Sequence, residues 1–114
     1  MPHFVIECSE NILKLRSAEE IISSVYEIAV STNLFAIADI KVRIMPYSLY
    51  TVAGTNNDFI HVFAWIMQGR NTEQKAQLSK QVVSRLKSLL PAVPVISMNV
   101  MDFEKATYCN KPMV

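Results

Sequence analysis

The chain has 114 residues, 51% of them hydrophobic and 18% charged, with a formal net charge of +1. That length predicts one domain over residues 1–114 with one core. The near-neutral charge, without a basic run, argues against a nucleic-acid partner, and no stretch reaches the roughly 18 apolar residues of a membrane-spanning helix.

The start, "MPHFVIECS", places a proline directly behind the initiator methionine. Proline is tolerated at the first residue of a strand, and "HFVIEC" at 3–8 has the alternation and side-chain types of one. Neither a basic n-region nor an apolar h-region precedes it, so no signal peptide is expected and the cytoplasm is the expected location. Cys8 and Cys109 are spaced neither as a metal motif nor as a redox pair, and both are expected to be reduced. Ser17 and Glu20 stand in the S-x-x-E arrangement of a capping box, and Ile21, Val25, Ile28 and Ala29 follow at helical spacing, predicting a helix over about 18–31.

"ADIKVRIM" then alternates, with Ile40, Val42 and Ile44 on one face and Lys41 and Arg43 on the other, until Pro46 ends or bends the strand. "AGTNND" at 53–58 is turn chemistry, and "FIHVFAWIM" at 59–67 is a long strand. Asn71 with Gln74 marks another helix start, carried by Leu78, Val82, Leu86 and Leu89 to Pro91. "PVISMNVMDF" at 94–103 is the last strand, and from Glu104 onward the chain reads as a polar tail.

The order is β-α-β followed by β-α-β. It predicts an α+β fold, a two-layer sandwich in which two helices cover one face of a four-stranded sheet. In the third strand both sides are apolar: Phe59, His61, Phe63, Trp65 and Met67 on one, Ile60, Val62, Ala64 and Ile66 on the other. One helix layer covers only one of these sides, so a symmetric oligomer packing sheet against sheet is expected. His3, His61, Trp65 and the methionines read as packing or hydrogen-bonding residues, Cys8 as a buried apolar residue, and no metal motif is present. Tyr47 and Tyr50 follow the charged strand and are read as surface packing.

The chain resembles the tautomerase superfamily, and within it most closely the 5-carboxymethyl-2-hydroxymuconate isomerase family. The resemblance lies in "PHFVIECSENI" at 2–12, "LFAIADIKVRI" at 34–44, "DFIHVFAWI" at 58–66 and "GRNTEQKAQLSKQVVSRL" at 69–86. It implies a homotrimer with the sheets facing one another around the axis. It also implies Pro2 as the catalytic residue, freed by removal of Met1, and Arg43 and Arg70 at positions where the family keeps arginine. Lys41 departs from the arginine of the isomerases compared, keeping the charge without the planar fork that grips a carboxylate.

These residue types suit a cofactor-independent proton shift on a small unsaturated dicarboxylate. A free α-amine titrates near about 7.7–8.0, and a proline amine is intrinsically more basic. Neighbouring cations and partial desolvation lower that pKa toward the working pH, where a general base is most efficient. Lys41, Arg43 and Arg70 are the candidate cations, and the same groups would hold the substrate carboxylates. Two other readings share the scaffold: a keto-enol tautomerase of the macrophage migration inhibitory factor type, and a non-catalytic trimeric ligand-binding protein.

Overall fold

The computed structural model describes residues 1–114. Strand β1 (His3–Ser9) leads through a short helical turn α1 (Ile12–Leu15) to helix α2 (Ala18–Ser31), then to β2 (Lys41–Tyr47). The second half repeats this pattern with β3 (Phe59–Met67), α3 (Thr72–Leu89) and β4 (Val95–Phe103). The sheet order is β2-β1-β3-β4. Strands β1 and β2 are parallel, as are β3 and β4, and the two halves meet through the antiparallel β1–β3 pair. The α+β two-layer architecture expected from the alternating elements is the one observed.

The helix layer closes over one sheet face. Phe4, Ile6 and Cys8 of β1 and Ile60, Val62, Ala64 and Ile66 of β3 are completely buried there, against Ile21, Val25 and Ala29 of α2 and Leu78, Val82 and Leu86 of α3. Period-2 alternation in the strands and 3.6-residue spacing in the helices thus meet in one core. The thiol of Cys8 is pushed up to about 11, first by burial and then by the carboxylate of Asp58. It packs as an apolar side chain rather than serving as a nucleophile.

Helix starts differ from the sequence expectation in one respect. Ser17 accepts from the Glu20 main-chain N–H at 3.2 Å, but the Glu20 carboxylate pairs with Arg16 at 3.4 Å instead of reaching back. The reciprocal box forms at α3, where Asn71 accepts from Gln74 N–H at 2.8 Å and Gln74 accepts from Asn71 N–H at 2.9 Å. Pro46 lies within β2 rather than ending it. At this outer strand a missing N–H costs no ladder bond on the solvent side. The tail is also more ordered than its polarity suggests, with 3-10 turns at Lys105–Thr107 and Lys111–Met113. No helix is long and apolar enough to cross a membrane.

Candidate active site at the chain start

Topology gathers the candidate residues at one end of the sheet. Because β1 and β2 are parallel, His3 pairs with Lys41 and Val5 with Arg43, placing both cations beside the start of β1. The Lys41 main-chain N–H donates to the Pro2 carbonyl at 3.1 Å. Because β3 runs antiparallel to β1, His3 faces Trp65, and β3 ends at Met67 on this same side. Gly69 follows at φ 126°, a left-handed conformation that favours glycine, and turns the chain so that Arg70 stands just beyond the strand. Tyr47 lies at the far end of β2, paired with Ser9. Its hydroxyl donates to Glu7 at 2.9 Å, while that of Tyr50 donates to the Asn56 carbonyl at 3.0 Å.

Pro2 is fully buried. Met1 precedes it, and the Met1–Pro2 amide makes its nitrogen non-basic in the unprocessed chain. The Met1 ammonium lies 3.5 Å from the Asp39 carboxylate. Its pKa is held below the usual α-amine value, first by burial. The carboxylate of Asp39 opposes that shift, while the charges of Lys41 and Arg70 reinforce it.

The three cations are engaged differently. Lys41 is exposed, and its Nζ donates to the Asp39 carbonyl at 2.6 Å. Arg43 turns toward His3, its guanidinium donating to Nδ1 at 3.0 Å. Guanidinium has no acceptor, so this contact fixes Nδ1 as the unprotonated nitrogen of a neutral imidazole. The pKa of His3 is lowered accordingly, by burial first and then by Arg43 and Lys41.

Arg70 is half-buried and donates to the carbonyls of Met67, at 3.2 Å, and Leu34. Its guanidinium carbon lies 5.2 Å from the centroid of the Phe35 ring. Two of its five N–H donors are committed to the main chain and three remain for a ligand. Clefts of about 380 and 300 Å³ lie on the helix layer, both lined by Gln77 and Gln81; the smaller also includes Leu34, whose carbonyl accepts from Arg70.

Sequence reasoning missed Asp39 and Tyr108. Asp39 is an acid beside the cations in "ADIK", legible only once β2 is known to lie alongside the chain start. Tyr108 comes from the tail, and its hydroxyl meets the Met1 thioether. No local pattern links residues so far apart.

Similarity to solved structures defines the class. The chain matches a 5-carboxymethyl-2-hydroxymuconate isomerase from Deinococcus radiodurans R1 with a TM-score of 0.84 and 19% identity, covering 96% of this chain and 88% of that one. It matches the Q0 fused 4-OT wild type symmetric trimer with a TM-score of 0.80 and 12% identity, over 98% of this chain and 94% of the other. The fold is tautomerase-like.

Sequence similarity narrows the class to a family. The chain is 26% identical over 106 residues to the 5-carboxymethyl-2-hydroxymuconate Delta-isomerase of Escherichia coli, covering 91% of this chain and 84% of the relative. The family model of 5-carboxymethyl-2-hydroxymuconate isomerase matches residues 2–111. The chain belongs to that family, and its activity class is that of an isomerase.

Proposed function

We propose that the chain, after removal of Met1, isomerises a small unsaturated keto dicarboxylate resembling 5-carboxymethyl-2-hydroxymuconate, with Pro2 as the acid/base residue. The observation that carries this reading is geometric: Pro2 is buried at the start of β1, where the Lys41 N–H donates to its carbonyl at 3.1 Å and the register brings Lys41 and Arg43 alongside. With Met1 removed, the free amine becomes the secondary amine of Pro2.

In the reaction, the Pro2 nitrogen takes a proton from one end of the conjugated system. The electron pair spreads into a dienolate, and the same nitrogen returns the proton at a different carbon. Arg70 and Arg43, with Lys41, hold the carboxylates and stabilise the developing negative charge. The proton balance closes on the enzyme, so the scheme calls for no cofactor.

The assembly proposed is a homotrimer. Its support is the sheet face away from the helices, where Phe59, Phe63 and Met67 are only half-buried in the protomer and Trp65 is 38% exposed. The assembly is supported too by the symmetric trimer among the solved structures of similar fold. The test is turnover of a 2-hydroxymuconate-type dienol by protein whose mass shows Met1 absent. Ketonisation no faster than in buffer would sink the proposal.

A further inference from the structure

We propose that Tyr108 is a substrate-binding residue of this site, donating its hydroxyl to an oxygen of the keto acid once Met1 is gone. This rests on the reading of the chain start given above. After β4 ends at Phe103, the tail is tied back to the sheet. The Lys105 N–H donates to Gln68 Oε1 at 2.7 Å, and the Gln68 N–H donates to the Phe103 carbonyl at 3.1 Å. The Thr107 N–H and hydroxyl both donate to the Glu104 carbonyl at 3.2 Å.

These bonds set the Tyr108 ring 5.9 Å from Phe103, which itself packs edge-on against His3 and stacks near Trp65, each at 5.9 Å. The half-buried phenol then donates to the Met1 sulfur, its one hydrogen-bond partner. A thioether is a weak acceptor. A well-placed O–H is thus spent on a side chain that amino-terminal processing removes.

The space that Met1 gives up is bordered by the phenol, which touches the Met1 sulfur, and by the groups around the Met1 amine, where Asp39 lies at 3.5 Å and the charges of Lys41 and Arg70 reach. A short keto diacid fits this chemistry. Its carboxylates suit the cations, and its remaining oxygen suits a neutral donor. Tyr108 would then fix which end of the conjugated system faces the Pro2 nitrogen.

The test compares Tyr108→Phe with the parent protein, both lacking Met1. The variant keeps the ring against Phe103, so the melting temperature should not move. Two readouts are taken: turnover of the dienol, and calorimetric binding of 2-oxohexanedioate, a saturated keto diacid with no double bond to shift. Loss of one hydrogen bond should raise the Kd of the diacid by roughly tenfold and lower kcat/KM similarly. The pH-rate profile should stay where it was, because the base is untouched. A Kd within about twofold of the parent value, or no binding by the parent at all, overturns the proposal. Diacid binding that depends on Tyr108 in a protein that turns over no dienol would leave Tyr108 standing and remove Pro2 as the base.

Discussion

The two faces of β3 differ in burial and in what they carry. Toward the helices, Ile60, Val62, Ala64 and Ile66 are all completely buried. On the opposite face Phe59, His61, Phe63 and Met67 are half-buried and Trp65 is open to solvent. The neighbouring strands add polar chemistry to that second face: His3 lies in register with Lys41 and Trp65, while His61 reaches Ser97 and Asn99, each at 2.6 Å. The closed face stores folding energy inside one protomer. The open face carries the candidate site and apolar area that gains only when another subunit covers it.

Substitution on each face should separate these roles, and the largest effect is expected on the closed one. Ile66→Ala removes buried atoms from a packed core and should cost about 2–5 kcal/mol of unfolding free energy. Denaturant titration would show it. Trp65→Lys, one residue away on the open face, should leave the protomer folded but replace apolar contact area with a charge. If the proposed trimer forms through this face, light scattering should show its mass for the parent and its loss in the variant. If both variants unfold the chain equally, the division of labour between the faces is wrong.

A smaller effect distinguishes the two arginines. Arg43→Ala should lower kcat/KM for a dianionic substrate by roughly 10–100-fold, since a charge-assisted hydrogen bond contributes about 1.5–3 kcal/mol, with a lesser loss for a monoanion. Arg70→Ala should show the same preference and lower the melting temperature as well, because its fork also ties Leu34 and Met67 together. Equal losses on both substrates would reduce the arginines to structural supports.

The smallest effect is in the pH dependence of stability. The folded-state pKa of His3 is depressed below the usual imidazole value of 6.5. Just below that value the unfolded chain therefore binds more protons than the folded one, and the stability that His3 contributes is present above about pH 6.5 and lost as pH falls. Melting temperatures of the parent and His3→Gln should converge on acidification. Parallel curves would show that His3 is not linked to folding.

Much of the fold was legible because the signals that specify it are local. Alternation in "FIHVFAWIM" and helical spacing from Leu78 to Leu86 each lie within one element, and both are borne out. The doubly apolar character of β3 was equally visible, since period-2 patterning needs no partner to be read. Where sequence reasoning fell short, the partner lies elsewhere in the chain. Arg16 takes Glu20 out of the expected capping box, and Arg70 is held by the Leu34 carbonyl and the Phe35 ring. Lys41, Arg43 and Arg70 were legible as candidates only through resemblance, because isolated cations on a strand or a turn have no pattern of their own. Asp39 and Tyr108 were not legible, since their places beside Met1 depend on strand order and on a tail that folds back.

The central claim is that a free Pro2 nitrogen does the chemistry, and the most direct measurement compares the processed chain with one that retains Met1. The two differ at the amide that removes the basic nitrogen, while the sheet and the cations are shared. Dienol turnover should be confined to the processed form, with a rate that rises with pH through an amine pKa below that of free proline, because Pro2 is buried beside Lys41 and both desolvation and a neighbouring cation disfavour a protonated amine. Comparable rates from the two forms would contradict the account and leave Pro2 as the opening residue of a strand.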